Sequence, residues 1–145
     1  MNNEAAILQD LFSNWISLVL EYSQGAPDLR AVYLYASSEQ GTRYVNVCFD
    51  QGGTVVRPRS IQGIDTDLSR VSQMMSLFFD DLAAAEKSLS NVNSPAPTEY
   101  RVYYEPSTRK LDVQLSRELI YTNHSTKVPS EGIQDWLGDR APKLL

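Results

Sequence analysis

At 145 residues the chain has room for one domain with a buried core and is short for two, and 42% hydrophobic against 21% charged residues excludes a disordered or collagen-like polymer. A formal net charge of −5 disfavours the phosphate backbone of a nucleic acid, which is held by clustered Lys and Arg; it suits a basic partner, and it is also the commonest state of a soluble protein. One cysteine, Cys48, excludes an internal disulfide and, with one histidine, His124, leaves too few ligands for a site of the zinc type.

Residues Asn3 to Gln24 read as an amphipathic helix. Leu8, Leu11, Phe12, Trp15, Val19 and Tyr22 share a face, broadened by Ile7, Ile16, Leu18 and Leu20. Gly25 suits a left-handed cap and Pro27 prevents resumption. The opening residues show no basic leader, cleavage site or continuous apolar span, so the expectation is a cytoplasmic protein without a membrane segment. From Arg30 to Ser37 the period falls to two, with Val32, Leu34 and Ala36 set against Tyr33 and Tyr35. Glu39-Gln40-Gly41 turns the chain into a second strand, Tyr44 to Phe49, with Val45, Val47 and Phe49 inward and Cys48 acting as a small hydrophobe. Asp50-Gln51-Gly52-Gly53 is the next turn, Thr54 to Arg57 a short third strand, and Pro58 its end.

Asp67 to Leu89 returns to the helical period. Leu68, Val71, Met75, Phe78, Leu82, Ala85 and Leu89 form a stripe that Met74 and Phe79 widen, while Asp80, Asp81, Glu86 and Lys87 lie mainly outside it. Asp65, Thr66 or Asp67 can cap its free amides. After a breaker-rich loop from Asn91 to Pro97, Glu99 to Glu105 alternates with Tyr100, Val102 and Tyr104 on one side. Pro106 to Arg109 connects it to Lys110 to Ser116, where Leu111, Val113 and Leu115 oppose Asp112 and Gln114. Arg117 to Val128 lacks a period and reads as an ordered surface loop holding Tyr121, Asn123 and His124. Pro129-Ser130-Glu131 opens a short helix in which Ile133, Trp136 and Leu137 pack. This order predicts an α+β fold and a single domain over 1–145. It is a two-layer sandwich with a mainly antiparallel sheet, in the order α-βββ-α-ββ-α, with two long helices on one face. With helices on one face only, the other is expected to expose tyrosine hydroxyls among Arg101, Glu105, Asp112 and Gln114.

Chemistry-bearing patterns are scarce. No nucleophile elbow accompanies Cys48 or a serine, and a lone histidine in a polar loop is ordinarily a solvated side chain. Gly52-Gly53 is a turn, not a phosphate cradle. The pair Asp65 and Asp67 is accounted for by helix capping, and Asp80-Asp81 by a solvated helix face, so no metal ligands and no cofactor are expected. The seven tyrosines in or beside the strands fit two readings equally: a contact surface, since tyrosine offers large area at little rotamer entropy, or the ordinary preference of tyrosine for half-buried strands.

The run Val32-Tyr33-Leu34-Tyr35-Ala36, followed by Tyr44-Val45-Asn46-Val47-Cys48-Phe49-Asp50, resembles the opening sheet of the YezG-like immunity proteins. Tyr100-Arg101-Val102-Tyr103-Tyr104-Glu105-Pro106 and Lys110-Leu111-Asp112-Val113-Gln114-Leu115-Ser116 resemble that family's second hairpin, whereas Pro27-Asp28-Leu29 stands where the family carries a tryptophan. The resemblance implies a small cytoplasmic protein that binds the C-terminal domain of a cognate bacterial toxin, often a nuclease. It would block the active site or lock the conformation, with no catalytic residue, cofactor, nucleic acid or membrane involved, as a monomer or weak homodimer. Charge and tyrosine placement select Asp80, Asp81, Glu99, Tyr103, Glu105 and Asp112 as the expected partner contacts. Small size, acidity and element order are also similar to those of type III secretion chaperones, dimers that hold a segment of an effector. A hydrolase or isomerase would instead require a deep polar pocket around Asp65 and Asp67.

Overall fold

Six apolar side chains at helical spacing make the first element. In the computed structural model, which describes residues 3–122 and 127–142, α1 spans Asn3–Tyr22 and buries Leu8, Leu11, Phe12, Trp15, Val19 and Tyr22. It stops two residues before the expected end, where Ser23 turns its hydroxyl back onto the Val19 carbonyl at 2.6 Å and Gly25 adopts φ +89°. The second helix, α2 (Leu68–Asn91), is capped by Asp67, whose carboxylate accepts from the Ser69 amide at 3.1 Å. Its buried line runs through Met74, Phe78, Leu82, Ala85 and Leu89, while Leu68 is 56% exposed and Met75 half-buried. Met74 and Met75 stand about 100° apart around a helix, so both border one stripe and the packing of the two helices selects Met74. Trp15 joins the helices: its indole N–H donates to the Phe78 carbonyl at 3.3 Å, and its ring meets Phe78 and Tyr100 edge-on at 6.3 and 5.6 Å.

Beneath them lies one antiparallel sheet of β1 (Leu29–Glu39), β2 (Thr42–Gln51), β3 (Thr54–Val56), β4 (Glu99–Glu105) and β5 (Lys110–Ser116), in spatial order β3-β2-β1-β4-β5. The first two strands run longer than their alternation predicts. Gln40 and Gly41, at φ 49° and 84°, turn the chain in two residues, so Glu39 pairs directly with Thr42 and the ladder begins at once. The helix-bearing face carries Val32, Leu34, Ala36, Val45, Val47, Phe49, Tyr100 and Val102. Fully burying a side chain of this size contributes about 1.5–3 kcal/mol, which makes this the main core.

The opposite face is not the open tyrosine surface the alternation suggests. Ala31, Tyr33, Tyr35, Cys48 and Val55 form a second cluster with Tyr121, Ile133 and Ala141, and Tyr35 is wholly buried. After β5 the described residues 120–122 and 127–141 lie over this face as a strap that carries α3 (Gly132–Leu137), flanked by single 3-10 turns at Pro129–Glu131 and Gly138–Arg140. The apolar residues of so short a helix can be buried only against a larger surface, and the tyrosine rings supply it. Glu39 fastens the strap. Its buried carboxylate accepts the amides of Ile120 (2.8 Å), Tyr121 (3.0 Å) and Thr122 (2.9 Å) and the Thr122 hydroxyl (2.7 Å), so part of the expected surface loop is an interior contact. Asn123 and His124 lie outside the described residues. Burial alone would raise the Glu39 pKa, but the hydrogen bonds from Thr122, Ile120 and Tyr121 outweigh it and hold the group below its ordinary 4.5.

Two outcomes follow. A β-carbon at Gly132 would overlap the Tyr35 ring, so Gly132→Ala should cost about 1–3 kcal/mol in urea unfolding and open the strap to limited proteolysis. An unchanged midpoint would place the strap elsewhere. Because the folded pKa of Glu39 lies below the unfolded value, its contribution is complete above about pH 4.5 and is lost as pH falls through the folded value. Protection of the Ile120, Tyr121 and Thr122 amides, taken relative to their intrinsic exchange rates at each pH, should therefore fall selectively in acid, and Glu39→Gln should lower that protection at neutral pH and abolish its acid dependence.

Candidate functional site

The strap covers only part of the far face. Between α3 and the β4–β5 hairpin lies a cleft of about 450 Å³, walled by Tyr33, Asp50, Arg101, Tyr103, Lys110, Asp112, Gln114, Trp136, Leu137 and Arg140. Strand register builds most of it. Tyr33 pairs with Tyr103 and Tyr103 with Asp112; Tyr35 pairs with Arg101 and Arg101 with Gln114. Residues directly opposed on antiparallel strands share a face, so these two rows form the floor. The Tyr33 ring lies 5.3 Å from Tyr103 and meets Trp136 edge-on at 5.5 Å. Arg140 closes the end near α3: it donates to the Tyr33 hydroxyl at 2.5 Å, stands 3.8 Å from an Asp50 carboxylate oxygen, and sits 5.4 Å above the Tyr33 ring.

On the outer wall Lys110 pairs with Asp112 at 3.7 Å, and the Tyr103 hydroxyl donates to Glu105, which also accepts from Thr108 at 2.8 Å. Those two donors hold the Glu105 carboxyl below its usual range, whereas partial burial and then the Glu105 bond push the Tyr103 phenol up to about 12. Deeper in, the Tyr35 hydroxyl donates to Glu99 at 2.7 Å and contacts the Tyr121 hydroxyl; burial and then that carboxylate raise the Tyr35 pKa. Arg101 stands 3.5 Å from Glu99 through Nε, an ion-pair distance that lacks hydrogen-bond geometry. The cleft thus offers aromatic faces, a planar guanidinium and carboxylates to a partner. Its walls are of mixed sign, with Arg101, Lys110 and Arg140 beside Asp50 and Asp112.

Of the six expected contacts, Tyr103, Glu105 and Asp112 come together on this hairpin. Glu99 lies on the same face but inside, 9% exposed and committed to Tyr35. Asp80 and Asp81 are elsewhere, on α2 above the other side of the sheet; Asp80 is exposed, and Asp81 is half-buried with its pKa raised by burial and then by Asp80. Sequence reading overlooked Trp136 and Arg140 as neighbours of Tyr103. Only the pairing of a tryptophan with an arginine four residues later in the terminal helical segment hints at them.

Asp65 and Asp67 serve the helix start, the Asp65 carboxylate accepting the Asp67 amide at 3.0 Å. Among the described residues, no group of three or more His, Cys, Asp or Glu is arranged to hold a metal ion, and no helix is long and apolar enough to cross a membrane. No protein-family model matches this chain, and no curated protein matches it.

Cys48 reports on the second layer. It is 1% exposed, and burial pushes its thiol up to about 12, with Arg57 opposing the shift weakly. A disulfide reagent should leave it unmodified in the native protein at pH 8 and react fully in denaturant. Rapid native modification would mean that the strap does not cover β2.

Proposed function

We propose that this protein is a binding protein of the immunity type, which holds the toxic domain of a cognate bacterial toxin in the cytoplasm of the producing cell and keeps it inactive. The observation that carries this reading is the β4–β5 hairpin. The stretch that resembles the second hairpin of the YezG-like immunity proteins forms one wall of an open cleft furnished with Tyr33, Tyr103, Trp136 and Arg101. Tyrosine, tryptophan and arginine dominate the energetics of protein interfaces, because each brings large area or a multidentate donor at modest entropic cost. A net charge of −5 adds long-range attraction for a basic nuclease domain, while the mixed-sign cleft supplies the short-range fit.

The test is co-expression with the C-terminal domain of a large secreted protein encoded directly upstream. We expect a stoichiometric complex and loss of the toxic activity. Tyr103→Ala and Trp136→Ala should each raise Kd by about tenfold or more, chiefly through faster dissociation. Replacing Asp80 and Asp81 by asparagine should leave the dissociation rate unchanged and slow association only at low salt. Absence of a complex, or a complex indifferent to both aromatic variants, would overturn the assignment. A secretion chaperone, the second reading suggested by element order, would capture an unfolded effector segment and ignore a folded toxin domain.

A further inference from the structure

We propose that the outer edge of β5 is a self-association site, where a second copy of this chain adds its own β5 antiparallel about a two-fold axis through Val113 to make one continuous ten-stranded sheet. The two ends of the sheet are unlike. The β3 end is three residues long and stops one residue short of Pro58, whereas β5 spans seven residues without proline or glycine, and among the described residues no strand pairs with its outer side. Such an edge presents a row of free amides and carbonyls that a further strand can satisfy.

The choice of a second copy rests on the strand's own sequence. Opposed residues in an antiparallel pair share a face, so a two-fold axis normal to the sheet must pass through a residue position. With the axis at Val113, Leu111 opposes Leu115, Asp112 opposes Gln114, and Lys110 opposes Ser116, each twice. All seven residues are paired, the apolar side stays continuous, each carboxylate meets an amide, and no like charges face each other. An axis at Asp112 would set two carboxylates against each other, and one at Gln114 would leave Lys110 and Leu111 beyond the partner strand. The strand carries one lysine and one aspartate, so the contact itself is net neutral and adds no like-charge repulsion of its own.

The helix-bearing side of the same edge is also unfinished. Leu111 and Leu115 are 44% and 37% exposed, and an apolar trough of about 500 Å³ runs between α1 and the hairpin, lined by Leu8, Phe12, Ile16, Tyr104 and Leu111 among others. A second β5 brings another Leu111, Val113 and Leu115 onto this side and extends the trough across the axis into its counterpart. Seven-residue strand pairing with this apolar margin belongs at the small end of interface sizes, so the association is expected to be weak and concentration-dependent.

The experiment is sedimentation velocity of the full chain up to about 0.5 mM, where a small interface becomes populated. The wild type should pass from monomer to dimer. Gln114→Lys, opposing Asp112 of the other copy, should tighten dimerisation by about threefold or more, and Gln114→Asp should weaken it by as much. Both substitutions are at an exposed position, and circular dichroism checks their folding. The axis has its own readout: Val113→Cys should form an interchain disulfide on mild oxidation, while Leu111→Cys, whose counterpart is four residues removed along the strand, should not. A wild-type monomer throughout, as expected if the edge instead receives a segment of another protein, overturns the proposal. A dimer indifferent to Gln114 or equal cross-linking at both cysteine positions overturns it too. Toxin binding through the cleft is scored separately and is not decided by any of these outcomes.

Discussion

Strand β1 is enclosed from both sides, and the rest of the molecule is arranged to keep it so. Every residue from Ala31 to Ser37 is buried; β2 and β4 take its backbone hydrogen bonds, α1 and α2 cover one face, and the strap covers the other. Enclosure on the helix side is simple, because Val32, Leu34 and Ala36 bring no polar atoms. On the far side β1 brings the hydroxyls of Tyr33 and Tyr35, and a buried hydroxyl without a partner costs about 1–3 kcal/mol. Tyr35 meets Glu99 and Tyr121, and Tyr33 meets Arg140. The partners from the strap are thus as much a condition of the central strand as its apolar neighbours are.

The cleft follows from the dimensions of that cover. A six-residue helix is about 9 Å long, whereas five strands spaced about 4.8 Å apart present a face roughly twice as wide. The buried sheet residues of the second cluster come from β1, β2 and β3; β4 adds Tyr103 at its margin and the buried Glu99, while Lys110, Asp112 and Gln114 of β5 stay exposed on that side. What is left over is a wall of long polar and aromatic side chains next to a buried layer that holds its floor rigid. Side chains positioned on strands and braced from beneath lose little freedom on binding, which favours recognition over a loop of equal composition.

Net charge and local charge act at different ranges here. The acidic total is a property of the entire surface and shapes diffusive encounter, while the cleft mixes Arg101, Lys110 and Arg140 with Asp50 and Asp112. Asp80 and Asp81, which look equivalent to Asp112 in a list of acidic residues, are separated from it by the thickness of the sheet. They contribute to the far field and not to the cleft.

The sequence by itself determined the elements and their inward faces. The buried set of α1, a cap for α2 among Asp65, Thr66 and Asp67, the alternation of Val32, Leu34 and Ala36, and the limits of β4 and β5 all come from interactions a few residues apart, which the local sequence records. Only the tertiary structure decided what becomes of the tyrosine face. Alternation states that Tyr33 and Tyr35 point together, but solvent and a returning strap are equally compatible with it. The choice rests on Glu39 meeting amides some eighty positions away and on Gly132 leaving room for a ring, contacts between segments whose local sequences carry no sign of each other. The cleft was half visible for the same reason: Tyr103, Glu105 and Asp112 belong to one hairpin, while Trp136 and Arg140 arrive by docking, driven by burial of apolar surface that has no fixed spacing along the chain.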